Sequence, residues 1–278
     1  IKSAGSPSRW VRAFAIRLAP MQSAQIVYAP PTGKPLGTNP TFSICAAILI
    51  PVLNAITKRT WQGSENIPQS GPAIVISNHL SYADVLFFAQ FLFKNGRAPR
   101  FIGKRSVFDV PIIGRILLAA GQIPVDREST HASKALDHAV AALKAGHLIG
   151  IYPEGTLTRD ENLWPMVAKT GAARLAIITQ LPIIPVAAWG IGDVLPPYSK
   201  APRIWKRSKI TLRAGKAIDM SPWYGKEDDP IALAEATAHI MDVMTTMLED
   251  IRGEKRPAQI FDPHTSDLPR TGNFKKKR

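Results

Sequence analysis

The 278-residue sequence has one cysteine and no long uninterrupted apolar run, and both shortages limit what the protein can be. The single Cys45 excludes a disulfide within the chain, so a reducing compartment is compatible with the sequence. The apolar segment at residues 42–53 is shorter than the about 20 residues needed to cross a bilayer, and Pro51 interrupts it. No Gly-x-Ser-x-Gly motif is present, so the sequence does not predict a nucleophilic catalytic serine.

Acidic residues are absent from the first 40 positions, which hold five Lys and Arg. Residues 251–278 hold eight basic and three acidic residues, whereas residues 41–250 hold 22 and 18. The net charge of +14 therefore lies mostly at the two ends, which favours attraction to a polyanionic surface. No RRM, zinc-finger or helix-turn-helix pattern indicates nucleic acid, and several apolar segments favour lipid. We therefore expect a membrane phospholipid surface as partner, and no nucleic acid.

The chain divides into four predicted regions. Residues 1–40 read as a flexible leader, because positions 30–40 are rich in proline and glycine. Residues 41–62 form an apolar segment that either lies in the membrane interface or packs as a core helix. Lys58, Arg59 and Trp61 are typical interfacial anchors and favour the first alternative. Residues 63–253 form an α/β domain, and residues 254–278 form a basic, disordered tail.

Within the domain, apolar runs that predict strands alternate with stretches that predict helices. The predicted strands are 73–77, 99–103, 122–126, 148–152, 183–188 and 209–214. The predicted helices are 83–94, 106–119, 131–145 and 167–180, and a last helix begins at Asp229-Pro230 and ends at Gly253. This alternation predicts an α/β fold with a single mixed, largely parallel sheet flanked by helices. We expect an apolar membrane-associated helical segment to precede the sheet.

His79 and Asp84 lie where a predicted strand gives way to a predicted helix. Five residues along a helix turn through about 500°, so the two side chains cannot share a helix face. They meet only if His79 lies in the turn before the helix and Asp84 in its first turn. Asp84 would then fix the histidine tautomer and leave Nε2 as a general base. The alternative is a structural histidine beside a helix start.

Three other predicted strand ends carry polar residues with two possible roles each. Lys104 and Arg105 either clamp a phosphate or form a solvated pair, and Arg127 either binds phosphate or pairs with a nearby acid. Glu154 lies between Pro153 and Gly155, so the turn constrains its position. Its carboxylate either bonds a substrate hydroxyl or braces backbone amides. Only one histidine lies near these motifs, so no metal site is predicted.

Four of these motifs together resemble the blocks of the glycerolipid acyltransferase family, which includes bacterial 1-acyl-sn-glycerol-3-phosphate (lysophosphatidate) acyltransferases. The resemblance covers roughly residues 60–220. It rests on four segments in this order: Asn78-His79 with Asp84, residues 121–127, Pro153-Glu154-Gly155-Thr156, and residues 181–186. One departure is that Leu157 stands where the family often has arginine, and Arg159 follows two residues later.

The resemblance implies roles for individual residues. His79 matches the family's catalytic base and Asp84 its orienting partner. The substrate-binding residues that it implies or that neighbour its motifs are Asn78, Lys104, Arg127, Glu154, Gly155, Thr156 and, in place of the displaced arginine, Arg159. No cofactor is implied, because acyl-CoA or acyl-carrier protein serves as co-substrate.

The expected reaction is transfer of an acyl group to the free hydroxyl of lysophosphatidate, giving phosphatidate, by direct attack of the hydroxyl on the thioester. Glycerol 3-phosphate or another lipid alcohol is an alternative acceptor. A non-catalytic membrane-binding protein with the same fold and a nucleic-acid binder are the alternative classes. We expect a peripheral or monotopic protein at the cytoplasmic face of the cell membrane.

Overall fold

The computed structural model describes residues 34–125, 132–263 and 265, without the side chains of residues 132–135. Most of the predicted leader, Arg127 and most of the predicted tail therefore lie outside the described residues.

The described residues contain one seven-stranded sheet. Its strands, in chain order, are β1 Thr57–Gln62, β2 Ala73–Ser77, β3 Pro99–Lys104, β4 Ile123–Val125, β5 Leu148–Ile151, β6 Ile183–Trp189 and β7 Ser208–Ala214. Across the sheet they follow the order β1-β7-β6-β2-β5-β3-β4. Every pairing is parallel except that between β6 and β7. The predicted mixed, largely parallel sheet is confirmed.

Helices cover both faces of the sheet. They are α1 Pro40–Ile56, α2 Asp84–Lys94, α3 Arg105–Phe108, α4 Ile113–Ala119, α5 Ala132–Lys144, α6 Gly171–Thr179, α7 Ile191–Val194 and α8 Pro230–Arg252. Side chains of α5, α6 and α8 pack with strand residues in one apolar cluster. Residues of α1 and α2, among them Leu53 and Phe87, pack with the strands in a second cluster. The sheet therefore separates two cores, as expected for strands buried on both faces.

Strand β1 was not predicted, because Lys58 and Arg59 interrupt its apolar pattern. It pairs with β7 from Thr57–Ser208 to Gln62–Arg213 at one edge of the sheet. The ring of Trp61 lies 5.6 Å from that of Phe91 in an edge-to-face contact and packs, partly buried, against the second core cluster. Its role as an interfacial anchor stays a prediction.

The predicted helix at 106–119 is two short helices, α3 and α4. Between them Pro111 precedes Ile112, whose φ of 67° lies in the left-handed region. Proline disfavours helical geometry in the residue before it, and a β-branched residue in the left-handed region ends regular structure. The predicted helix at 167–180 likewise begins only at Gly171.

The first residues of the predicted disordered tail contact the domain. Arg256 forms ion pairs with Asp242 and Glu249 of α8. Phe261 forms a parallel bridge with Met166, and its carbonyl accepts a hydrogen bond from the Val167 amide at 2.9 Å. Disorder is therefore a wrong prediction for residues 254–263. It stays a prediction for residues 266–278.

None of the helices in the described part of the chain combines the length and the apolar character needed to cross a membrane. Helix α1, which falls in the predicted membrane-associated segment, has 17 residues.

Candidate active site

His79 lies in the turn between β2 and α2, and Asp84 is the first residue of α2. This is the placement that the spacing of the two residues requires if they are to meet. The distance from His79 Nδ1 to Asp84 Oδ2 is 3.0 Å. The histidine side chain is 19% exposed and the aspartate side chain 2%, so the base is accessible and its partner is buried.

Asp84 Oδ2 accepts hydrogen bonds from the backbone amides of Leu80 and Ser81 as well as facing the His79 ring. Two amide donors and the helix N-terminus stabilise a carboxylate. An ionised carboxylate can only accept, so the network assigns the proton to Nδ1 of His79. The Nε2 atom is left as an acceptor, which is the state that a general base needs.

The backbone of His79 is fixed by the Glu154 turn. The His79 amide donates to Glu154 Oε1 at 3.0 Å, and the His79 carbonyl accepts from the Thr158 amide at 2.8 Å. The second carboxyl oxygen, Oε2, accepts from the Met166 amide at 3.1 Å. Of the two roles that the sequence leaves open for Glu154, the structure therefore has the bracing of backbone amides.

Burial raises the pKa of Glu154 to about 8, against the opposing effect of its two amide donors. The side chain is 2% exposed, so loss of hydration is the larger effect. The nearby carboxylates of Asp84 and Asp160 raise the pKa further.

Tyr152 is a site residue that the sequence analysis missed. Its ring stacks on the His79 imidazole at 4.1 Å between centroids, with the planes inclined by 19°. Burial, and secondarily the charge of Asp84, raises the pKa of its hydroxyl well above the usual value. Its position at the end of β5, directly before Pro153-Glu154-Gly155, was the available signal.

Two predicted substrate-binding residues are buried away from solvent. The Asn78 side chain forms a pair of hydrogen bonds, at 2.9 and 2.8 Å, with the backbone carbonyl and amide of Ala188 in β6. Arg159 is 2% exposed and donates to the Leu157 carbonyl at 3.3 Å. It also lies 3.5 Å from the Tyr198 hydroxyl. These contacts tie strands and turns together beneath the site.

The other predicted residues lie at the carboxyl edge of the parallel strands. Lys104 ends β3, and Gly155 and Thr156 follow β5, the strand between β3 and β2. Gly155 has a φ of +71°, which a residue with a side chain adopts at a cost. Arg127 follows β4 but lies outside the described residues. Ligands of open α/β sheets bind beyond this edge of the strands.

A cavity of about 740 Å³ opens at this edge. Its polar lining includes His79, Tyr82, Lys104 and Thr156. The rest is mostly apolar and comes largely from α1, α2, α3 and α4, with Leu49, Leu86, Phe93, Val107, Phe108 and Ile116 among its residues. A cavity of this size, apolar with a few convergent polar groups, is typical of a small-molecule site.

Residues 58–189, which contain His79, Asp84 and Glu154, match the family model described as Acyltransferase. This chain contains a domain of the acyltransferase family. The matched residues run from β1 to the end of β6 and include the carboxyl ends of β2 to β6.

Curated relatives agree with this assignment. The chain is 32% identical over 145 residues to "1-acyl-sn-glycerol-3-phosphate acyltransferase BAT2, chloroplastic" of Brassica napus, which is 51% of the chain and 40% of the relative. It is 25% identical over 180 residues to a 1-acyl-sn-glycerol-3-phosphate acyltransferase of Bacillus subtilis, covering 64% of the chain and 82% of the relative. The chain thus spans only about two fifths of the plant acyltransferases that it matches.

The crystal structure of the 1-acyl-sn-glycerophosphate (LPA) acyltransferase PlsC from Thermotoga maritima has the same fold. The TM-score is 0.58 at 22% sequence identity, over 76% of this chain and 82% of that one.

Proposed function

We propose that the acyltransferase transfers an acyl group from acyl-CoA or acyl-carrier protein to the free hydroxyl of 1-acyl-sn-glycerol 3-phosphate, giving phosphatidate. The observation that carries the proposal is the His79–Asp84 pair, whose histidine lines a largely apolar cavity. In this proposal the acyl chain of the donor lies against the apolar lining, and the donor's thioester lies within reach of His79. The relatives' names indicate the acceptor.

In the proposed step, Nε2 of His79 takes the proton from the acceptor hydroxyl as its oxygen bonds to the thioester carbonyl carbon. Asp84 stabilises the imidazolium that forms. The carbon–sulfur bond then breaks, and the imidazolium returns the proton to the leaving thiolate. General-base catalysis contributes about 10²–10⁴-fold, and correct positioning of the two substrates contributes the rest.

The acceptor's phosphate has a candidate partner in Lys104, which is exposed at the end of β3 and lines the cavity. We assign Arg127 the same role on the basis of the family resemblance. Thr156 and the Gly155 turn complete the proposed acceptor site. Asn78, Glu154 and Arg159 serve it indirectly, since their described contacts are to other parts of the protein.

The proposed partner surface is a membrane, because the lipid acceptor and the phosphatidate product reside there. Four apolar side chains of α1, Ile44, Ile48, Leu49 and Val52, are 38–63% exposed. The α3–α4 segment adds further exposed apolar residues, the most exposed being Ile112 at 72%. Large contiguous apolar surfaces mark interaction sites. We propose peripheral or monotopic attachment at the cytoplasmic face through this surface.

The test is an assay of the purified protein with lysophosphatidate and labelled acyl-CoA, repeated with acyl-carrier protein as donor. We expect labelled phosphatidate from the wild type and none above background from His79→Ala. Asp84→Asn should lower kcat strongly, because a neutral amide does not stabilise the imidazolium that forms on His79. His138→Ala, an exposed histidine of α5, is the control. Normal turnover by a folded His79→Ala protein would contradict the mechanism.

A further inference from the structure

The loop at residues 200–207, between α7 and β7, is exposed throughout. Trp205 is 81% exposed, more than any other large apolar side chain in the described part of the chain, and the neighbouring Ile204 is 51% exposed. Removing such side chains from water is favourable. Two adjacent exposed apolar residues at a loop tip therefore indicate a surface that is covered in the functional state.

Basic residues surround this tip. Arg203, Lys206, Arg207 and Lys209 line, with Trp205, a surface depression of about 420 Å³. One acid, Asp193, shares the lining. The ion pairs found among the described residues include none of these four basic residues. The depression is therefore strongly positive.

The neighbouring strands increase this charge. Lys58 of β1 stands directly opposite Lys209 of β7, and both are exposed. Like charges directly opposite in a sheet are destabilising. Burial, and then the charge of Arg207, lowers the pKa of Arg59 on the next position of β1. Repulsion that the single acid, Asp193, does not balance is the arrangement expected where an anionic partner supplies the missing charge.

The loop lies beside the active site and beside α1. The Arg207 guanidinium donates to the carbonyls of Asn54 and Thr57 at the end of α1, at 3.2 and 3.3 Å. At the start of the connection that leads into the loop, the Leu195 carbonyl accepts from Ser81 Oγ, in the turn after His79, at 2.7 Å. The basic loop thus extends the exposed apolar face of α1 along the edge that carries the cavity.

We propose that residues 200–207, with Lys58 and Lys209, bind the headgroups of anionic phospholipids. In this arrangement Trp205 and Ile204 enter the interfacial layer, where tryptophan is enriched, and the basic side chains contact lipid phosphates. The inference rests on the proposed function for its membrane, but the contact itself is independent of catalysis. The aliphatic Ile204 and the continuity with α1 favour lipid over nucleic acid.

The first test is sedimentation of the full chain with vesicles of phosphatidylcholine, with and without 30 mol% phosphatidylglycerol as a probe. We compare Arg203→Gln/Lys206→Gln/Lys209→Gln, which spares Arg207 because it bonds to α1. The control, Lys144→Gln/Lys216→Gln/Lys255→Gln, removes equal charge from exposed lysines outside the loop. At about 1 kcal/mol per residue near the surface, the loop variant should bind anionic vesicles roughly 100-fold more weakly. The control should bind nearly as the wild type does.

The second readout is tryptophan emission. Wild-type protein should show a blue shift on anionic vesicles that Trp205→Phe lacks. Equal weakening in the loop and control variants, or an identical shift in Trp205→Phe, would overturn the proposal. The proposal would also be overturned if the loop variant lost binding to duplex DNA but kept its binding to vesicles. That result would assign the loop to nucleic acid.

A third measurement separates this proposal from the proposed function. Acyl transfer is assayed with a short-chain, monomeric lysophosphatidate, for which no vesicle is needed. The loop variant should retain wild-type turnover in this assay, because none of its three substituted residues lines the 740 Å³ cavity. If the wild type shows no acyl transfer, the proposed function is contradicted. The vesicle measurements test the loop proposal independently of that result.

Discussion

At the level of single residues, four neighbours fix His79 from different directions. Asp84 bonds its ring, Glu154 its amide and Thr158 its carbonyl, while Tyr152 stacks on its face. Each contact restricts a different degree of freedom of the imidazole. A base held in this way is oriented before substrate arrives, which lowers the cost of reaching the reactive geometry.

Glu154 gives a pH-dependent prediction. Its pKa is raised from 4.5 to about 8 in the folded protein, so between these values the folded state holds a proton that the unfolded state has lost. Stability contributed by this group is full below about pH 4.5 and is lost as the pH rises toward 8. We expect the free energy of unfolding to fall across this window, by at most about 5 kcal/mol from this group.

Urea unfolding of the wild type and of Glu154→Gln at pH 5 and pH 8 measures that contribution. The variant should show a smaller fall, because glutamine does not titrate. Its kcat should also drop, since the new NH₂ group faces one of the two backbone donors and displaces the His79 turn. Identical pH slopes in the two proteins would show that Glu154 titrates normally.

Lys104 gives a prediction about substrate binding. If it contacts the acceptor phosphate, Lys104→Ala should raise the KM for lysophosphatidate much more than the KM for the acyl donor. A charge-assisted hydrogen bond is worth about 1.5–3 kcal/mol, so roughly a 10- to 150-fold rise is expected. Lys94→Ala, an exposed lysine at the end of α2, is the matched control. Parallel rises in both KM values would indicate a structural role. The same test applies to Arg127.

At the level of elements, the sequence predicts best where local and tertiary preferences agree. Strand β2 occupies the predicted residues 73–77, because it is apolar and buried on both faces. Helix α8 begins at a capping Asp229 and ends at Gly253 in the left-handed conformation, as its sequence requires. By contrast, β1 is a strand because it pairs with β7, about 150 residues later in the chain. No local sequence pattern reveals this pairing.

The same distinction applies within the site. The His79–Asp84 pair is local, so its spacing and the strand-to-helix junction were enough to predict its geometry. The bonds of Glu154 to His79 and of Asn78 to Ala188 join residues 75 and 110 positions apart. Sequence alone leaves a carboxylate or an amide free to bind either substrate or backbone. Only the packed sheet decides between these roles.

Helix α1 gives the prediction that belongs to this scale. Ile44 and Ile48 are 61% and 63% exposed and do not line the cavity, so replacing both by Asp tests the surface alone. If α1 inserts into the interface, the double variant should bind anionic vesicles more weakly at low and at high salt alike, because the apolar contribution that it removes is insensitive to screening. Sedimentation at low and high salt measures this weakening.

The matched control carries the same two charges on α8, as Ile231→Asp/Ala234→Asp, at positions that are also exposed. It should bind vesicles almost as the wild type does. Complete release of the wild type by high salt alone would argue against insertion of α1, since only electrostatic attachment is screened.

At the level of the whole molecule, the segment that follows α8 is connected to the catalytic turn. Phe261 bridges to Met166, whose amide donates to Glu154, which in turn holds the His79 amide. Truncation after Gly253 should therefore lower both the melting temperature and kcat. Truncation after Thr265 should change neither. Thermal unfolding and turnover of the two truncated proteins measure the difference, and equal behaviour would show that the bridge is dispensable.

The pairing of β1 with β7 also affects how the chain is made. Thr57 pairs with Ser208, so β1 has no partner on the ribosome until about 150 more residues have been added. At about 5–20 residues per second, that interval lasts roughly 8–30 s. During it, α1 is fully synthesised, apolar and not yet locked to the sheet through β1. In the proposed attachment, α1 is therefore available to a lipid surface before β7 is made and before the fold is complete.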